Sequence, residues 1–159
     1  MALSDIRTQI INKLESVSGV VNVRAGKPHI RSIEDFPVDT TNNRINWWEV
    51  YCTSVDPEPL HSREYMYYYT FVIDGLVAYE SDSTWTWFEE LVEDICEAFL
   101  TDADLGGTTE FGDLGLHSAH EDVGIPHAEL FLVTVPGNVF LRATIEITLR
   151  DINTRTLSL

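Results

Sequence analysis

Basic residues are absent from half of this chain: between Arg63 and Arg142 there is no lysine or arginine, while sixteen acids stand in the same stretch. Such a surface repels phosphate, which argues against sequence-specific or tight DNA binding. Cysteine is nearly absent too. Cys52 and Cys96 are far apart and form neither a CxxC pair nor zinc-site spacing, so they read as small packing side chains without a disulfide. No apolar run has the length to cross a bilayer, and Met1-Ala2-Leu3-Ser4-Asp5 lacks the basic-then-apolar pattern of a secretory signal, so a protein made and used in a cytoplasm is expected. No P-loop, nucleophile elbow or glycine-rich dinucleotide fingerprint occurs, and abundance of carboxylates does not define an acid/base pair. No catalytic residue and no cofactor is expected.

What is present describes one folded domain over residues 1–159. Hydrophobic residues make up 44% and aromatics 11% of the chain, enough to build a core despite a net charge of −16. Charge is balanced over residues 1–50, where Arg7, Lys13, Arg24, Lys27, Arg31 and Arg44 face an equal number of acids.

Residues 4–17 read as a helix capped by Ser4, with Ile6, Ile10, Leu14 and Val17 on one stripe and Gly19 as its stop. Residues 22–46 form a long polar arm that carries four of the ten basic residues, Arg24, Lys27, Arg31 and Arg44; arms of that length in small domains are often functional. A strand from Trp47 to Val55 is expected to stop at Asp56-Pro57-Glu58-Pro59. From Arg63 to Ile73, Tyr65, Tyr67, Tyr69, Phe71 and Ile73 alternate with Met66, Tyr68, Thr70 and Val72. Both faces are apolar, which marks a central strand or one covered on assembly, and Asp74-Gly75 should end it.

The second helix has cap candidates at Asp82, Ser83, Thr84 and Thr86, with a Thr86/Glu89 capping box. Its buried stripe is Phe88, Leu91, Val92, Ile95 and Phe99, and Glu89, Glu90, Glu93, Asp94 and Glu97 face outward. Leu114 to Asp122 is a weak strand. A hairpin spans about 129–150, its strands Glu129–Val135 and Val139–Arg150 joined at Pro136-Gly137-Asn138. The order α-β-β-α-β-β-β predicts an α+β, two-layer fold, with two principal helices on one side of a mainly antiparallel or mixed sheet.

Two metal-like patterns weigh little. His117 and His120 diverge on a strand, which leaves Glu121, Asp122 and His127 without a converging partner set. Asp102, Asp104, Gly107, Glu110 and Asp113 match a calcium loop only in part, since Gly106 replaces a ligand and no second helix follows. The tryptophans Trp47, Trp48, Trp85 and Trp87 fit a core or an interface better than a stacking platform.

Taken in order, several segments resemble the tail terminator proteins of long-tailed bacteriophages and prophages. They are the opening helix, Asn46-Trp47-Trp48-Glu49-Val50, Tyr69-Thr70-Phe71-Val72-Ile73-Asp74-Gly75, the helix Phe88 to Phe99, Leu105-Gly106-Gly107, and the closing alternating strand. The resemblance covers most of the chain and implies a non-enzymatic virion protein. Six copies would close into a ring on the last ring of the tail tube, stop tube growth and dock the head connector. Its partners would be further copies of itself, the tail tube protein and the connector or stopper protein, with DNA passing through unbound. The resemblance carries no interface role over to the acidic, histidine-bearing region from Asp113 to Pro136. A stopper or other head-completion protein is the nearest alternative, and an acidic DNA mimic is the alternative of another class. For the ring, the basic residues Arg24, Lys27, Arg31 and Arg44 and the acidic helix residues Glu89, Glu90, Glu93, Asp94 and Glu97 are the candidate interface. Duplex DNA is expected to migrate unretarded with this protein in a gel shift at physiological salt; a shifted band that fades with added salt would reverse the electrostatic reading.

Overall fold

The alternating and amphipathic stretches fold into a sheet with two helices against one face. The computed structural model describes residues 3–26, 38–39, 44–61, 64–101, 125–135 and 138–154. In chain order the elements are α1 (Leu3–Glu15), β1 (Val23–Ala25), β2 (Val38–Asp39), β3 (Arg44–His61), β4 (Glu64–Ala78), α2 (Asp82–Thr101), β5 (His127–Val135) and β6 (Asn138–Thr154). The sheet runs β1-β3-β4-β6-β5, and β2 pairs with the start of β3. It is mixed, because β1 is parallel to β3 and the other pairings are antiparallel. This is an α+β fold, as the sequence pattern predicts, with the weak strand at 114–122 and the glycines at 106–107 outside the described residues.

α1 contacts β1 and β3, α2 contacts β5 and β6, and the helices touch each other. Their stripes meet the sheet as the spacing requires. Ile6, Ile10 and Leu14 from α1 and Phe88, Leu91, Val92, Ile95 and Phe99 from α2 share one core with Trp48, Val50, Phe71, Ile73, Ala143, Ile145, Ile147 and Leu149. β4 is the central strand and is buried on both sides: Met66, Tyr68 and Val72, which point away from the helices, are also buried. Trp47 and Trp48 are buried, and Trp85 and Trp87 pack partly buried against the core. Cys52 and Cys96 are free thiols, half-buried, and burial pushes both thiols up. Raised thiols are weak nucleophiles, so both residues act as packing groups.

Strand ends depart from expectation in two instructive places. β3 does not stop at Asp56-Pro57-Glu58-Pro59 but pairs with β4 as far as His61, through register shifts at Cys52/Ser54 and Pro59/His61. Proline has no N–H to give, yet on a border strand that N–H faces away from the ladder and is not missed. β4 does not stop at Asp74-Gly75 either and runs on to Ala78. Gly75 lies directly opposite Trp48, and a Cβ placed there would stand 2.2 Å from Cζ3 of the indole. The glycine is therefore a seat for the Trp48 ring rather than a turn.

The indole is fixed from its other end by Asn46. Trp48 Nε1 donates to Asn46 Oδ1 at 2.7 Å, and the same oxygen accepts the Val21 amide at 3.2 Å. Asn46 Nδ2 donates to the Gly19 carbonyl at 2.9 Å, and Asn22 Nδ2 donates to the Asn46 carbonyl at 3.2 Å. Two residues of that connection need left-handed backbone: Gly19 has φ 98° and Asn22 φ 56°, values that glycine and asparagine adopt at least cost. α2 begins at Asp82 rather than at the Thr86/Glu89 box: the Ser81 amide donates to Thr84 Oγ1, and the Thr86 hydroxyl donates back to the Asp82 carbonyl.

Gly75→Ala is expected to destabilise the fold by about 2–3 kcal/mol, because the added methyl overpacks a ring that has no room to move. In a Trp48→Leu background the same change should cost much less. Equal costs in the two backgrounds, measured by denaturant unfolding, would refute the seat.

Candidate functional site

Of the side chains expected to form an assembly interface, the described ones stand on different elements: Arg24 on β1 and the acids on α2. Arg24 sits on β1, exposed at one border of the sheet, with its guanidinium 5.1 Å from the centre of the Trp47 ring. Cation–π contact of this kind holds a long side chain in place while leaving its charge at the surface. Arg44 begins β3, and its side chain lies outside the described residues, as do Lys27 and Arg31. Within the stretch read as an arm, residues 23–25 and 38–39 pair with β3.

α2 packs over the other side of the sheet, against β5 and β6. Glu89, Glu90, Glu93, Asp94 and Glu97 are all exposed, because the 3.6-residue period that buries Phe88, Leu91, Val92 and Ile95 turns them outward. The last turn of α2 carries no basic residue, and among the described residues none of the five acids forms an ion pair. Among the described residues, Arg24 is thus not brought together with the five acids.

The sequence reading missed a polar cluster on the face of the sheet away from the helices. Arg142 on β6 donates from Nε to Asp74 Oδ1 at 2.9 Å and from Nη2 to Asp74 Oδ2 at 2.7 Å, a two-pronged bond between central strands. Such paired geometry is the strongest form of this contact. The Asp74 side chain is 7% exposed and that of Arg142 34%. Glu49 stands opposite Asp74 in the β3–β4 register and is itself buried. The Arg142 guanidinium also lies 5.6 Å from the centre of the Phe131 ring on β5. The Asp74 bond pushes the Arg142 pKa up, while burial first and the Asp74 charge second push Tyr51 up. Both shifts hold the groups in their ordinary protonation states, and the cluster ties four strands together. Asp74 was hidden by the Asp-Gly turn signal. Its parity with Arg142 across the extended strand was the clue that remained.

A shallow cavity of about 210 Å³ lies between α1 and the β1/β3 border, lined by Arg7, Ala25, Gly26, Tyr51 and Cys52. A raised phenol and a raised thiol give it no activated nucleophile. Among the described residues no group of three or more His, Cys, Asp or Glu side chains is placed to hold a metal ion. The His117 to His120 and Asp102 to Asp113 patterns lie outside the described residues. No helix of the described residues is long and apolar enough to cross a membrane. No family model matches the chain, and no curated protein matches it.

Arg142→Met is expected to cost about 2 kcal/mol, because it takes the guanidinium from the Asp74 carboxylate, which lies beside buried Glu49. Adding Asp74→Asn should restore part of that loss. Chemical denaturation of the single and double variants checks it, and additive losses would mean that the two residues do not act as a pair.

Proposed function

We propose that this chain is a structural, non-enzymatic subunit of a bacteriophage tail, a terminator. It forms a ring at the head-proximal end of the tail tube, stops tube polymerisation and joins the tail to the head connector. The observation that carries the reading is the separation of unlike charge within one subunit. Arg24 is held outward at the β1 border, and five acids without a described ion pair face outward from α2 above the β5/β6 side. A closed ring needs two different, complementary patches on every copy, since each interface joins one border to the other. The ordered motifs that resemble tail terminators support the same conclusion. In this reading the basic residues Arg24, Lys27, Arg31 and Arg44 of one copy meet the acidic helix of the next. Acids left over in the bore repel DNA, which passes through to the tube without sticking. The protein is assembled in the host cytoplasm and ends in the virion, at the tail neck.

Negative-stain electron microscopy with a light-scattering mass is the test. Rings with an open centre, alone or on added tail tubes, are expected, and Arg24→Glu with Lys27→Glu and Arg31→Glu should abolish them. A protein that ignores tubes and instead inhibits a DNA-processing enzyme would replace this reading with the DNA mimic.

A further inference from the structure

The two borders of the sheet are built very differently. Beyond β1, the outer strand is β3, and it carries Pro57 and Pro59, two register shifts, and exposed Asp56 and Glu58. Prolines, bulges and charges are the features that stop a border strand from pairing with another chain. β5 forms the opposite border and has no proline, and its one acid, Glu129, stands near its start. Among the described residues it pairs with β6 alone, without a register shift. From Leu130 to Val135 it reads Leu-Phe-Leu-Val-Thr-Val, with no charge, proline or glycine. That is the composition of a strand ready to accept another. Leu132 is 56% exposed and Val139, two positions from its cross-strand partner Leu141, is 38% exposed.

We infer that β5 is the strand along which a second copy of this chain adds, extending the sheet by main-chain hydrogen bonds. The occupant follows from charge. Two copies of a chain with net charge −16 repel each other over most of their surfaces. No charged residue stands between Glu129 and Arg142, the longest such stretch in the sequence, and it comprises the bulk of β5 and the start of β6. It is where a like-charged copy approaches at least electrostatic cost. The residues available for the contact are apolar side chains and backbone, which a copy of the same strand matches in kind. Backbone pairing is possible because β5 presents one side of its ladder to β6 and, among the described residues, nothing pairs with the other. Antiparallel meeting of two such strands sets Glu129 of one copy against an uncharged position of the other. The inference stands on the sheet alone and does not require the tail reading.

The test compares the full chain with Leu132→Lys and Leu132→Thr by sedimentation velocity at several concentrations. Leu132 is mostly outside the core, so both variants should keep the wild-type circular dichroism spectrum and melting temperature. The wild type is expected to sediment as two or more chains, Leu132→Thr likewise, and Leu132→Lys as one. A monomeric wild type, or a Leu132→Lys variant with the wild-type mass, would overturn the inference. A ring that Leu132→Lys leaves intact defeats this strand contact and keeps the ring reading. A two-chain species that Leu132→Lys splits does the opposite.

Discussion

The packing of one indole against one missing side chain sets the geometry from which the other contacts follow. Trp48 occupies the space that a Cβ on Gly75 would need, which fixes the β3–β4 register to the residue. A slip by one position would turn every core side chain to the wrong face. Asn46 ties the same ring to the Gly19 to Asn22 connection, so α1 arrives over β1 and β3 in a fixed place. Phe88 meets the indole at 6.2 Å between ring centres, which brings α2 into the same arrangement. A single buried aromatic thus coordinates two helices and two strands.

The opposite face of the sheet solves a different problem. Its burial includes charge, since Glu49, Asp74 and Arg150 are all largely hidden from solvent. Buried charge is tolerable only where it is bonded, and the two-pronged Arg142–Asp74 contact provides this between β4 and β6. Phe131 adds β5 to the cluster. Because β6 has β4 on one side and β5 on the other, the Arg142 side chain secures the hairpin to the middle of the sheet. The border strand of the β5 side is therefore held rigidly in place even where its outer edge is uncovered by described residues.

The helices and the core-facing strand residues were legible because each obeys a single period. Ile6, Ile10 and Leu14 and the Phe88 to Phe99 stripe are buried as their spacing requires, and on β6 Leu141, Ala143, Ile145, Ile147 and Leu149 are buried at every second position, while Val139 is exposed. What failed were punctuation signals. Pro57 and Pro59 spell a turn unless the strand is known to be at a border, and Asp74-Gly75 spells one unless its partners Arg142 and Trp48 are known. Both pieces of knowledge are long-range, separated by 68 residues for Asp74 and Arg142, and no local window contains them. The candidate interface was legible by the same logic only in part. The outward turn of the α2 acids follows from the helix period, whereas the position of Arg24 depends on Trp47, which local composition does not reveal.

Charge and edge chemistry point to the same border. α2 lies over β5 and β6, so a molecule that approaches β5 meets a strand without charge from Leu130 onward and an acidic helix beside it. Those two features select differently. The strand admits any extended backbone, including one from an identical acidic chain, while the helix favours a neighbour that brings positive charge to the same place. Arg24 at the far border is a described side chain of this protein suited to that, and Trp47 keeps it outward. The two contacts differ in symmetry. Antiparallel meeting of β5 with β5 joins like to like about a two-fold axis and ends with the pair, whereas a contact between the α2 acids and Arg24 joins unlike surfaces and either closes into a ring or grows without limit. For a protein proposed to end a tube rather than extend it, the closing form of the second contact is the one that function demands.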